Sequence, residues 1–394
     1  MRVGIIPQGG KDWIAGVIYL QNLVRALDLL PTEERPSLCF ILGQGDTVLD
    51  YQDLGKCPPP LKYYAFRTGD SLASKIISTI RHAGFPHWPT SFELLTQRLN
   101  ISVLFPLQTS LGGHFPCPWI GWIPDFQHKS MPQYFSAEEL RNRDESFQRV
   151  VREASHIVVS SQDAHRDLMR WFPTAPERVS VFPFVSVAAE EWYAGNPQEI
   201  IASFGLPKKY VMFSSQFWVH KNHPCVFEAI RILKESSCSE IALVCTGRMH
   251  DYRHPRYSQE LLTDLKNYGL ERNVHCLGLL RRHTQIQLLR GAAAVIQPSL
   301  FEGWSSLVED ARTLAKRIYV SDIPIHREQN PPDAQFFNPE SPEDLATLIA
   351  RDWDQLSPGP DHGKEQEALF LQKTRALNFA RLFIKITREV NDPC

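Results

Sequence analysis

Ile296-Gln297-Pro298-Ser299-Leu300-Phe301-Glu302-Gly303-Trp304-Ser305-Ser306-Leu307-Val308-Glu309-Asp310-Ala311 is the most informative stretch of this 394-residue chain. It opens on the end of an apolar, β-rich run (294–297). A carboxylate and a glycine follow, and a helical pattern begins near Ser306 and extends to 315. In open α/β sheets, ligands bind outside the carboxyl ends of the strands, so this loop stands where chemistry is expected. Backbone N–H groups at Ser305, Ser306 and Leu307 would point out of the helix N-terminus, which suits a phosphate. Ser306 and Glu309 match an S-x-x-E capping box. That gives Glu309 a structural task and leaves Asp310 to face a ligand, with the reverse division as the competing assignment. Glu302, beside a glycine at a strand end, reads as a site carboxylate.

The pattern around this stretch repeats. Apolar runs at 210–214, 241–246, 274–277 and 318–321 alternate with helical patterns at 224–234, 259–268 and 284–290. Short apolar strands alternating with helices imply βαβ units and a parallel sheet. The N-terminal half repeats the theme less regularly, with strands expected at 3–6, 38–42, 103–105, 119–123, 156–160 and 179–182. A helix is expected at 17–30, and an amphipathic one at 138–154 turns Leu140, Phe147, Val150, Val151 and Ala154 inward. The fold class is therefore α/β with two Rossmann-like domains: 1–185, and 200–364 after a weakly patterned connection at 183–205. A breaker cluster at 357–361 precedes a long helical pattern, 365–390, with Leu369, Leu377, Ala380, Phe383 and Ile384 on its apolar side. That side needs a partner surface.

Composition narrows the classes. Hydrophobic residues make up 43% and charged residues 22%, so each domain can bury a normal core and disorder is excluded. A net charge of −2 argues against nucleic acid as a partner held by bulk electrostatics. No apolar run reaches ~18 residues, the length a spanning helix needs. The first residues read as a strand and not as a secretory leader. We expect a cytoplasmic location, with peripheral contact at the inner membrane surface as an option. The eight cysteines show neither C-x-x-C pairs nor histidine-paired spacing, which points to reduced thiols and no metal site.

The stretch from Glu302 resembles the E-x7-E signature of retaining glycosyltransferases of family 4, which have the GT-B fold. Here it is Glu302-x7-Asp310, with aspartate for the second glutamate. The continuation supports this: Asp310-Ala311, Lys316 and Ser321-Asp322-Ile323-Pro324-Ile325-His326-Arg327-Glu328 look like the family's E-A-x4-K-x4-S-D-I-P-x-H-R-E. Gly303-Trp304-Ser305-Ser306-Leu307 replaces the usual G-F-G-L-P. The resemblance implies two domains facing a cleft, an N-terminal acceptor domain and a C-terminal nucleotide-sugar domain. It also implies that the last helix (365–394) returns to the N-terminal domain.

The resemblance also assigns roles. The segment Gln216-Phe217-Trp218-Val219-His220-Lys221 follows the first strand of the second half, and Lys221 stands at the family's lysine for the donor diphosphate. Gln216 occupies the accompanying arginine's place, so His220, His223 or Arg248 would supply the missing charge. In Pro124-Asp125-Phe126-Gln127-His128, followed by Pro132-Gln133-Tyr134-Phe135, Asp125 matches the aspartate of the family's H-D-x6-P-x-Y-F segment. Pro124 takes the histidine's place. His128 is either a replacement imidazole or an exposed loop residue. Gly9, Gly10 and Gly16 flank Lys11-Asp12-Trp13 in a loop that is an acceptor-side loop or a plain strand-to-helix turn.

Asp352-Trp353-Asp354 imitates a D-x-D metal motif, but it falls in a helical pattern where i and i+2 side chains diverge. Arg281-Arg282-His283 reads as a solvated basic turn, with an anionic membrane-borne acceptor as its alternative partner. The resulting expectation is a metal-independent, retaining hexosyltransferase of polysaccharide biosynthesis. It takes a GDP- or UDP-activated sugar, needs no cofactor, and serves a glycan or lipid-linked saccharide acceptor. The rival expectation is a non-catalytic sugar-nucleotide-binding subunit of a glycan-assembly complex.

Overall fold

The computed structural model describes residues 1–9, 14–42, 62–65, 90–236 and 240–392. Gly10, Lys11, Asp12, Trp13, Cys57, Cys238 and Cys394 lie outside them. The chain divides into two compact units. The first holds Met1–Phe126, Ala137–Val185 and Arg375–Cys394, and the second Gln127–Ser136 and Ser186–Thr374.

The first unit is built on seven parallel strands: β1 (Arg2–Ile5), β2 (Ser37–Leu42), β3 (Lys62–Ala65), β4 (Val103–Leu107), β5 (Trp119–Ile123), β6 (His156–Val159) and β7 (Val179–Val181), in the order β3-β2-β1-β4-β5-β6-β7. The central strands are buried along their whole length, and for that reason they read as continuous apolar runs without alternation. The long C-terminal helix, His362–Asn391, is counted in this unit from Arg375 onward, so the expected return of the last helix is borne out. Its Phe379 ring stacks on Phe182 at 4.4 Å, and Phe383 meets Phe105 edge-on at 5.2 Å. Leu369, expected on the apolar side, is 40% exposed. In the earlier turns of the helix the buried side is instead set by polar anchors, Glu365 bonded to Arg290 and Gln372 bonded to the Ser186 carbonyl.

The second unit has six parallel strands: β8 (Val211–Ser214), β9 (Leu243–Thr246), β10 (Val274–Cys276), β11 (Ala294–Gln297), β12 (Ile318–Ser321) and β13 (Ala334–Phe337), ordered β10-β9-β8-β11-β12-β13. The sequence pattern missed β13, a half-buried edge strand with only Phe337 fully covered. The strand order reverses between β8 and β11, the switch point at which doubly wound sheets bind ligands. Cys39, Cys117, Cys225, Cys245 and Cys276 are free thiols, as expected.

Candidate active site

The site lies at the carboxyl edge of the second unit's sheet. β8 leads through Ser215 and Gln216 into a 3-10 turn, Val219–Lys221, and then the helix His223–Glu235. Close packing fixes this loop. Phe217 N–H donates to the Arg248 carbonyl at 3.0 Å. Gly247, at φ 140°, runs so near that a Cβ would stand 1.9 Å from the Ser215 oxygen. Asn222 adopts the left-handed conformation, φ 60°, and its amide donates to the Pro298 and Pro339 carbonyls at 3.2 and 2.8 Å. The loop after β8 is thereby tied to the loop after β11, across the switch point.

Lys221 and Glu302 meet there, Nζ to Oε1 at 2.6 Å, with side chains 15% and 9% exposed. Two more donors converge on the same oxygen: Gln297 Nε2 at 2.7 Å and Ser299 Oγ at 2.7 Å. Oε1 is saturated, while Oε2 takes no hydrogen bond from any described residue. The carboxylate is held by one oxygen and presents the other.

His326 lies within electrostatic reach of this pair, fully buried. Burial pushes its pKa down to about 4 and Lys221 pushes the same way, against the pull of Glu302 and the Ser321 carbonyl. The ring is therefore neutral near pH 7. Its Nδ1–H donates to the Ser321 carbonyl at 2.9 Å, and Nε2 has no partner among the described residues.

The helix Ser306–Thr313 begins beside Glu302. Its cap is Ser305, whose Oγ accepts from Val308 N–H, so the expected Ser306–Glu309 box does not form. The Glu309 carboxylate instead meets Arg312 at 3.7 Å and the Gln329 amide at 3.3 Å. Gln329 also brackets the Ser305 backbone, accepting from its N–H at 3.1 Å and donating to its carbonyl at 3.0 Å. Ser306 and Leu307 N–H are bonded to no described residue, which leaves the helix N-terminus open to an anion. Gly303 and Trp304 are half-buried in the connecting loop.

Asp310 is not open to a ligand. It is 1% exposed and both of its oxygens are taken. Arg282 Nη1 donates to Oδ2 at 2.7 Å, and Arg282 Nη2 and Ser186 Oγ donate to Oδ1 at 2.5 and 2.7 Å. Arg282 therefore belongs to the site and not to a solvated basic turn. The sequence signal for it was a cationic run at the start of a helix, where the dipole disfavours positive charge.

His220 and His223 do not supply the missing cation. Burial, reinforced by Lys221, drives the His220 pKa well below its usual value. The same causes bring His223 to about 3, between the rings of Phe213 and Phe217 at 4.5 and 4.2 Å. Gln216 and Arg248 are half-buried on the same loops.

The remaining candidates separate. His128 is 1% exposed in the second unit, its ring 6.5 Å from Phe135, so it is not an exposed loop residue. Asp125 is half-buried in the first unit. Gly16 lies in the helix Ile14–Asp28, where a Cβ would stand 2.8 Å from the Gln8 carbonyl carbon. Asp352 bonds Arg317, Tyr319 and Arg351, which hold its pKa down at about 2, as befits a structural residue.

Comparison with known proteins agrees with this fold. Residues 198–352 match the family described as glycosyl transferases group 1, so that domain spans most of the second unit. No curated protein matches the sequence. Among solved structures, a glycosyltransferase from Rickettsia africae is similar at 14% identity and a TM-score of 0.69, covering 100% of this chain and 99% of its own. Anabaena HepE, in complex with UDP and glucose, is similar at 15% identity and 0.69, covering 98% and 99%. Sucrose-phosphate synthase from Thermosynechococcus elongatus is similar at 13% and 0.69, covering 99% of each chain. The chain has the GT-B fold of these structures, as the resemblance implied, and the group 1 match spans Glu302 and Asp310.

Proposed function

We propose that the protein is a metal-independent, retaining hexosyltransferase of family 4. It would move a sugar from a nucleoside diphosphate sugar to a hydroxyl of a glycan or lipid-linked acceptor. The observation that carries this reading is Glu302: one oxygen saturated by Lys221, Gln297 and Ser299, the other open, beside a helix N-terminus whose Ser306 and Leu307 N–H groups are open, at the sheet's switch point. The UDP and glucose in the similar Anabaena structure support a nucleotide-sugar donor.

The groups divide the work by charge. As the diphosphate departs, negative charge develops on its oxygens. The Lys221 ammonium and the Ser306 and Leu307 N–H groups are placed to stabilise it, and a positioned donor of this kind is worth ~10²–10³ in rate. Lys221 does here what a divalent cation does elsewhere. Glu302 Oε2 accepts from hydroxyls of the transferred sugar and favours oxocarbenium-like charge on it. The acceptor hydroxyl attacks from the face the phosphate leaves, and the leaving phosphate takes its proton. Retention is carried over from the family resemblance. Asp125 and His128 are assigned to the transferred sugar as catalytic groups, and the loop of Gly9, Gly10 and Gly16 to the acceptor side.

A thermal-shift panel of nucleotides followed by donor turnover tests the reading. A ligand bound only by the folded state raises its stability by RT ln(1 + [L]/Kd). The Gln216 and Pro124 departures favour a second reading, a non-catalytic nucleotide-sugar-binding subunit. Donor binding without hydrolysis or transfer would decide for it.

A further inference from the structure

We propose that Arg282 reads the base of the donor nucleotide, and that Asp310 holds Arg282 for that task. The inference rests on the nucleoside diphosphate reading above. A guanidinium has three hydrogen-bonding edges in one plane. The end-on pair, Nη1 and Nη2, is taken by Asp310 at 2.7 and 2.5 Å. The outer Nη1–H goes to Gln285 Oε1 at 3.0 Å. The third edge, Nε–H with the outer Nη2–H, has no partner among the described residues, and Arg282 is 22% exposed where Asp310 is buried. The open edge is a rigid two-donor fork.

The fork is well anchored. Trp192 lies under the guanidinium, 5.0 Å from ring to Cζ. Gln285 donates in turn to Ser214 Oγ at 2.5 Å, and Ser214 pairs with Thr246 at 2.7 Å. Arg282 is thus fastened to the carboxyl ends of β8 and β9.

Two arguments choose a base over a phosphate. Asp310 neutralises the Arg282 charge, so the open edge offers directional donors without a net cation. Phosphate has Lys221 and a helix N-terminus at the switch point. Arg282 opens the helix that follows β10, the edge strand two places from β8, which is ~10 Å at the usual strand spacing. A nucleotide whose diphosphate sits at the switch point and which runs toward that edge brings its base there.

A two-donor fork wants two adjacent acceptors. Guanine presents O6 and N7, the commonest specific partner of arginine. Cytosine presents N3 and O2 in the same manner. Uracil sets N3–H beside O4, and adenine sets its amino group beside N7, so each turns a donor toward one arm of the fork. Discrimination should be about 10- to 100-fold.

The test is equilibrium binding of GDP, CDP, UDP and ADP to the full chain and to Arg282→Lys and Arg282→Gln. Lysine keeps the charge opposite Asp310 but lacks the fork, so Arg282→Lys separates base reading from folding. We expect GDP or CDP to bind about 10- to 100-fold more tightly than UDP and ADP, the GDP and CDP arms showing which acceptor pair is read. Both variants should lose that preference while UDP affinity stays within about threefold. A wild-type preference for UDP or ADP, or a GDP preference that survives Arg282→Lys, overturns the proposal and leaves the glycosyltransferase reading standing. Binding of none of the four by folded protein overturns both.

Discussion

Glu302→Gln is the most informative substitution, because it removes the charge and leaves the shape. The amide oxygen of glutamine still accepts from Gln297 and Ser299, which stand 2.7 Å from Oε1, so the loop keeps its anchor. Only the ion pair with Lys221 is lost, and with it the negative oxygen facing the sugar. A charged hydrogen bond at this depth contributes ~1.5–3 kcal/mol. That is less than the ~3–5 kcal/mol of a fully buried pair broken on one side, since the Lys221 side chain is 15% exposed and can turn to water. Turnover should fall by ~10²–10³, the scale of one positioned electrostatic group, or ~2.7–4 kcal/mol of barrier. Urea unfolding and donor turnover on Glu302→Gln, Lys221→Met and the double variant close a cycle. The stability coupling should be ~1–3 kcal/mol in favour of the pair. Turnover within threefold of wild type would take Glu302 out of the catalytic set. A coupling within ~0.3 kcal/mol of zero would show that the pair does no structural work.

Lys221→Ala should weaken nucleoside diphosphate binding far more than nucleoside binding, because only the former carries the charge that Lys221 meets; equal losses in a titration of both would refute this. Turnover should persist in EDTA, since an ammonium takes the phosphate charge; abolition by chelation with rescue by Mg²⁺ or Mn²⁺ would overturn that mechanism. Phe383→Ala should cost the first unit ~3–5 kcal/mol, because Phe383 is 1% exposed among Phe105 and Phe182; an unshifted calorimetric transition would contradict it. Stability should also fall on acidification. Burial, reinforced by Lys221, holds the pKa values of His326 and His223 down at about 4 and about 3 in the fold, with Glu302 pulling His326 the other way. In the unfolded chain they titrate near ~6.5. The stabilisation is complete above that value and is lost as the pH falls toward 4, at ~1.4 kcal/mol per pH unit for each ring. Equal urea midpoints at pH 7.5 and pH 5 would refute it.

Several expectations from sequence fail for one physical reason, that a pattern cannot say which of two neighbouring groups finds a partner. Ser305 and Ser306 are interchangeable by type, and only the backbone geometry shows that Ser305 caps the helix. Leu369 has the right spacing for the buried side of the last helix, yet Glu365 and Gln372, held by Arg290 and Ser186, set that side. Asp310 was read as free because its partners are 28 and 124 residues away in the chain.

What the sequence determined was local and periodic. Apolar strands buried on both faces alternate with helices, a requirement of any parallel sheet, and a carboxylate followed by glycine marks a strand end that opens into a helix. Those signals located both sheets, the Glu302 loop and the Lys221 turn. The tertiary structure decided which charges are spent internally and which face outward. It drew Lys221 and Glu302 together across 81 residues and closed Arg282 over Asp310. It left one oxygen of Glu302 and one edge of Arg282 open, because a charge taken out of water must find its partner wherever the fold brings one, and that pairing is not written in the spacing of the residues.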